Sequence, residues 1–228
     1  MITIETQPRR CDVCGADDME VLRNEHQDLI VGDAYLRFPM RDGICRRCGF
    51  IYRNPSPTNQ ALLAYYSARS RYETTTAPYA TDRRLHHLLK VAGDRRCLHE
   101  VGRGHPAFLD AAQQHGFIVS SDWAHAMPSE PVDILVACHV LDHVADPRST
   151  LAYWHDQLMP NGMLIIEIPN LCLYPLDPSG LLFEHVSHFT PNLLCYLFSV
   201  LNLSDWKCEF SDVSRHFGMT IIVHNRHF

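Results

Sequence analysis

Cysteine, glycine and histidine carry most of the reactive chemistry in this chain, and their spacing separates structural uses from functional ones. Cys11-Asp12-Val13-Cys14-Gly15 and Cys45-Arg46-Arg47-Cys48-Gly49 are two C-x-x-C-G knuckles, with thirty residues between Cys14 and Cys45. Two thiolates three positions apart on a tight turn grip one metal ion from one side, and a second knuckle completes a tetrahedral set, so Cys11, Cys14, Cys45 and Cys48 predict a structural zinc site. Rubredoxin-like iron and a redox dithiol are the other uses of such a pattern. A closed four-cysteine site leaves no position for substrate, which predicts a role in folding a segment too small for its own core. A second stretch, Leu98 to Leu109 (LHEVGRGHPAFL), runs from a short apolar segment through Glu100, Gly102 and Gly104 into a helical pattern. This is the grammar of strand, tight loop and helix, in which glycine lets the backbone approach a ligand and the helix start offers unpaired N–H donors. A plain glycine turn in an α/β domain is the alternative. The fifteen histidines are mostly scattered singly and suggest no second metal.

The elements that must position these residues follow from periodicity. Asp28 to Phe38 reads as a hairpin turning at Gly32-Asp33, which suits a zinc ribbon. Phe50-Ile51-Tyr52 is a strand running to a boundary at Pro55 and Pro57, and Thr58 caps a helix through Tyr65-Tyr66. Ser70 to Thr81 is polar and reads as a loop or lid, and Asp82 to Val91 as a helix. Ala107 to His115 is a helix closed by Gly116, and Phe117 to Val119 a strand. In dinucleotide and adenosyl-cofactor folds a carboxylate about 20 positions past the glycines receives the ribose hydroxyls. Asp122 stands at that distance, with a loop carboxylate as its plainer reading. Further on, Asp133 to Ala137 is a strand, Ser149 to Leu158 an amphipathic helix, Pro160-Asn161-Gly162 a turn and Met163 to Ile168 a buried strand. Pro191 opens a helix to Leu201, and Trp206 to Val213 with Met219 to Val223 closes the chain as an antiparallel hairpin.

The order of these motifs resembles class I S-adenosylmethionine-dependent methyltransferases. Glu100-Val101-Gly102-Arg103-Gly104 resembles the family's first motif, although His105-Pro106 stands where another glycine is usual. Asp133-Ile134-Leu135-Val136, Cys138 to Pro147 (CHVLDHVADP) and Phe183 to Thr190 (FEHVSHFT) resemble later segments, the last being similar to an "EHxxxFT" signature of zinc-bearing members that include deoxysugar C-methyltransferases. The resemblance implies an α/β Rossmann-like methyltransferase sheet with a small N-terminal zinc-ribbon domain. It divides the chain into a ribbon (1–57), a helical linker or lid (58–94) and a methyltransferase domain (95–228). It further implies S-adenosylmethionine bound by Glu100, Gly102, Gly104, Asp122 and His139, and His185 as general base with Glu184 orienting it. His188 would line the pocket, and His143 reads as a helix-packing residue. Methyl-transfer activity on a small hydroxylated metabolite, such as a sugar nucleotide, follows. The rival expectation is a methyltransferase-like scaffold or metabolite-binding protein that has lost the cofactor.

One expected unit is missing. Only ten residues, Trp123 to Val132, separate Asp122 from the strand at Asp133, too few for a crossover helix and another strand. The sheet should therefore lack one helix–strand unit, with Trp123 and Met127 left to rebuild the adenine side. The exposed edge is one that a second subunit would cover, giving a homodimer. With 228 residues, 46% hydrophobic content and a net charge of −6, the composition suits one large domain plus an appendage and argues against a nucleic-acid partner. No long apolar run or signal pattern is present, so a cytoplasmic protein with no membrane partner is expected. No nucleophile elbow, Walker loop or H-E-x-x-H occurs.

Overall fold

The computed structural model describes residues 2–31, 34–58, 60–62, 78–102, 105–122, 130–173, 185–210 and 218–225. The N-terminal part is β structure. Strands β1 (Ile2–Thr3) and β2 (Thr6–Gln7) precede a long pair, β3 (Met19–Val31) and β4 (Ala34–Cys45), followed by β5 (Ile51–Arg53) and β6 (Ser56–Pro57). The expected hairpin is present and longer than its sequence signal: β3 and β4 pair antiparallel from Met19↔Cys45 to Val31↔Ala34. Gly32 and Asp33 lie outside the described residues. Thr58 accepts the Ala61 N–H at 3.1 Å, so it caps a helical start at residues 60–62.

Helix α1 (Pro78–Ala92) leads into the second sheet, built from β7 (Cys97–Val101), α2 (Pro106–Gln114), β8 (Ile118–Asp122), β9 (Val132–Cys138), α3 (Pro147–Asp156) and β10 (Leu158–Pro169). A two-residue strand, β11 (Ser187–His188), helix α4 (Pro191–Val200), β12 (Trp206–Phe210) and β13 (Gly218–His224) complete the chain. The strand order is β12-β13-β10-β9-β7-β8, with β7, β8, β9 and β10 parallel and β13 antiparallel to β10 and β12. Among the described residues nothing pairs beyond β8, as the ten-residue connection requires. Sequence chemistry sets the helix starts: Pro147 and Pro191 occupy first-turn positions, Asp146 accepts from Ser149 N–H and Thr190 accepts from Leu193 N–H. Pro160-Asn161-Gly162 corrects the expected turn, since these residues lie inside β10. Asn161 takes a φ of 64°, and the irregularity is absorbed as a break in the β9 register between Leu158 and Met163.

Strand periodicity divides the core between the two faces of this sheet. Ile134, Val136, Met163 and Ile165 face one side, where Leu88 of α1 and Phe108 and Ala112 of α2 cover them. Their neighbours Leu135, Ala137, Leu164 and Ile166 face the other, against Leu151 and Trp154 of α3 and Leu193 and Leu197 of α4. That second cluster continues into Cys11, Val13, Phe50 and Tyr52, so the ribbon packs on the same face as α3 and α4. Strand β11 closes the join. It pairs with β5 through Ser187↔Tyr52 and His188↔Ile51, and so belongs to the ribbon's sheet.

Candidate active site and thiolate cluster

The two knuckles fold alike. Gly15 N–H donates to Cys11 O at 2.7 Å and Gly49 N–H to Cys45 O at 2.9 Å, with the glycines at φ 75° and 77°, a region glycine enters without a Cβ penalty. The four sulfurs converge within 4.8 Å of one another, Cys11 Sγ lying 3.4 Å from Cys48 Sγ and Cys14 Sγ 3.5 Å from Cys45 Sγ. A zinc ion bonded to sulfur at about 2.3 Å spans a tetrahedron with an edge of about 3.8 Å, so the cluster fits the metal. Burial pushes the Cys11 thiol upward and that of Cys48 up to about 11, so without a metal these sulfurs favour the protonated form.

The ribbon holds the loop that carries His185. Arg53 N–H donates to Val186 O at 3.0 Å, and Ser187 Oγ donates to Val144 O at 2.9 Å. Arg9 bridges the first knuckle to the same strand: its Nε donates to Asp12 at 2.7 Å, and its two Nη atoms reach Val186 O and Ser187 Oγ, each at 3.4 Å. Behind them lies the bidentate pair of Arg53 and Asp42, at 2.9 and 3.1 Å, with both side chains at most 1% exposed.

His185 meets Asp142. Its Nε2 is 3.3 Å from Asp142 Oδ2, and His143 Nε2 approaches the same oxygen at 3.4 Å. Asp142 and His143 belong to a single 3-10 turn, Leu141–His143, and Val186 N–H donates to Asp142 O at 3.0 Å, which brings the two chain segments together. The Asp142 carboxyl lies well below the usual carboxylate range: burial alone would raise it, but the neighbouring imidazoles of His143 and His185 outweigh that. A small cleft open to solvent is lined by Asp142, Pro169, Leu171, His185, Ser187, His188 and Phe189. His188 is buried, its imidazole pushed well below its ordinary value first by desolvation and then by Arg53.

The glycine loop lies at the carboxyl ends of the parallel strands, where ligands of open α/β sheets bind. Glu100 is fully buried and accepts the His105 N–H at 2.8 Å as well as the His105 ring, so His105, which replaces the usual glycine, braces the loop. Gly102 sits at φ 103°, and a Cβ there would stand 3.1 Å from Val140 Cγ2. Asp122 ends β8 beside Val101 in the parallel register, as its spacing requires; its side chain lies outside the described residues, as do Gly104, Glu184, Trp123 and Met127. His139, in a left-handed conformation at φ 53°, donates its N–H to Glu167 O at 2.7 Å and places Nε2 3.1 Å from Glu167 Oε1.

Sequence reasoning missed the partners of that carboxylate. Arg84 binds Glu167 through Nε and Nη2 at 3.2 and 3.1 Å, and Arg83 adds a contact at 2.8 Å. Arg84 Nη1 is buried and has no hydrogen-bond partner among the described residues. A carboxylate-bearing ligand beside Glu100 and Glu167 would satisfy it, so the site fits the amino-acid end of an adenosylmethionine. The available signal was Glu167 itself, a charge within the apolar run MLIIEI.

Residues 104–166 match the family described as "Methyltransferase domain". No curated protein matches the chain. A SAM-dependent methyltransferase from Archaeoglobus fulgidus superposes with a TM-score of 0.51 at 16% identity, over 65% of this chain and 94% of that one. The plantazolicin methyltransferase BpumL, solved with SAH and a pentazolic desmethylPZN analog, gives a TM-score of 0.53 at 10% identity over 74% and 95%. At these identities the likeness is one of fold. The fold is therefore that of the class I SAM-dependent methyltransferases. Together with the matched domain, it supports a SAM-dependent methyltransferase.

Proposed function

We propose that this chain transfers the methyl group of S-adenosylmethionine to a small hydroxylated metabolite, a sugar nucleotide being the first class to examine, and that its four-cysteine cluster holds a structural zinc. The observation that carries the reading is the cleft in which His185 Nε2 stands 3.3 Å from buried Asp142. When bound, the sulfonium supplies an electrophilic methyl group. The Gly102 backbone would approach its amino-acid portion, and Arg84, whose buried Nη1 has no hydrogen-bond partner among the described residues, would hold the carboxylate, with His139 bonded to the same Glu167. On the acceptor side His185 takes the proton of the attacking hydroxyl or carbon acid. Asp142 fixes the imidazole and stabilises the cation that forms.

Resemblance of FEHVSHFT to the sugar-modifying, zinc-bearing members supports the acceptor class. The rival reading, a domain that no longer binds the cofactor, is favoured by the uncovered edge of β8 among the described residues and by the closure of Glu100 on His105. Calorimetric titration of the purified protein with S-adenosylmethionine and S-adenosylhomocysteine separates the two. Micromolar binding is expected, followed by turnover in an acceptor screen. Absence of heat up to millimolar cofactor would leave the scaffold reading in its place.

A further inference from the structure

We infer that Asp142, His143 and His185 form a second metal site, chemically distinct from the cysteine cluster, that takes one divalent first-row transition cation. One oxygen and two nitrogens, Asp142 Oδ2, His143 Nε2 and His185 Nε2, lie within 4.8 Å of one another. Both imidazole nitrogens lie near the same oxygen, at 3.4 and 3.3 Å. A charge-assisted hydrogen bond draws nitrogen and oxygen to about 2.7–2.9 Å. Donors bonded to one cation at about 2.1 Å stand roughly 3.0 to 3.4 Å apart, the octahedral and tetrahedral edges, so the observed separations are those of neighbouring ligands.

Two independent observations point the same way. Asp142 is 2% exposed, and among the described residues neither of its carboxylate oxygens has a hydrogen-bond donor in good geometry, although a buried carboxylate requires a compensating charge. His188 lines the adjoining cleft, is 7% exposed, and its Nε2 has no hydrogen-bond partner among the described residues. A water held on the cation within that cleft would supply one. Three protein ligands with an open position are the composition of a catalytic metal site, in contrast to the closed thiolate set. Two imidazoles and a carboxylate suit zinc, iron(II), cobalt(II) or manganese(II), and the soft thiolates select differently.

The site rests on the methyltransferase reading only for its consequence, which concerns the acceptor. His185 Nε2 holds either a proton or the cation. A loaded ion therefore makes His185 a ligand, and an acceptor hydroxyl bound at the open position becomes more acidic, releasing its proton to solvent.

Cobalt(II) distinguishes the two sites in one experiment. The full-length protein is loaded with cobalt, passed through a desalting column, and its metal content counted alongside its absorption spectrum. Two equivalents per chain are expected, one with the near-ultraviolet thiolate charge-transfer bands of a sulfur site and one adding only weak visible bands. Asp142→Asn and His143→Gln should each weaken the second equivalent by roughly 100-fold while leaving the thiolate bands, which report that the chain has folded. A single equivalent in the wild-type protein, or a second equivalent that survives both substitutions, overturns the inference. Cofactor binding is read separately by calorimetry, so failure of the methyltransferase reading leaves the metal count interpretable.

Discussion

Asp142 gathers two imidazoles near one carboxylate oxygen, and under the proposed function the chemistry of the adjoining cleft depends on that arrangement. His185→Asn keeps the side-chain volume but removes the basic nitrogen. Turnover should fall by roughly 10²- to 10⁴-fold with cofactor affinity nearly unchanged, and wild-type turnover in the variant would take His185 out of the reaction. On the donor side, Gly102→Val forces a β-branched residue to φ 103° and a contact with Val140. A cost of about 1–3 kcal/mol with loss of S-adenosylmethionine binding is expected, seen as a lower midpoint in thermal melting and an empty calorimetric trace. A variant that binds normally would show that the loop does not contact the cofactor. The sequence identifies His185 and the glycines by motif, yet it pairs His185 with its neighbour Glu184. The partner seen here, Asp142, lies more than forty residues away, brought in by the Val186 N–H to Asp142 O hydrogen bond, and local spacing carries no trace of such a contact.

At the scale of elements, most strands and helices were legible because their signals are local. The alternation of inward residues in β9 and β10 and the helix start at Pro191 are of this kind, whereas the helix expected from Ser149 begins two residues earlier, at Pro147, capped by Asp146. The turn expected at Pro160 was not, because tertiary pairing with β9 carries the strand through it. Nor was the pairing of β11 with β5, since a two-residue strand has no periodicity to read. That pairing ties the ribbon that carries the cysteine cluster to the strand beside His185. Chelation, or Cys45→Ser, should lower the melting temperature and reduce turnover together, and full activity in metal-free protein would show that the ribbon is dispensable to the cleft. Asp42→Ala removes the carboxylate paired with buried Arg53, for which about 3–5 kcal/mol of destabilisation is expected in urea unfolding. A change well below that range would mean that Arg53 finds compensation elsewhere.

For the whole molecule, Glu167 ties α1 to the carboxyl ends of β9 and β10 through Arg83, Arg84 and His139. Burial alone would raise its carboxyl, but the hydrogen bond with His139 and the charge of Arg84 hold it well below the usual carboxylate range. Folding therefore favours the ionised form. The associated stability is present above the unfolded-chain value of about 4.3 and is lost as pH falls below it toward the folded value. Urea denaturation from neutral to acid pH should show this loss, with a flatter acid limb in Glu167→Gln; identical limbs would assign the acid sensitivity to other carboxylates. No helix among the described residues is long and apolar enough to cross a membrane.

The pairing of Tyr52 with Ser187 also bears on how the chain is made. During synthesis at roughly 5–20 residues per second, β5 emerges on the order of ten seconds before the residues that cover its edge. In that interval the ribbon presents one unpaired strand edge to the crowded surroundings of the ribosome, a state that favours mispairing with other nascent chains. Early metal capture by the knuckles would shorten the list of structures this segment can visit while it waits.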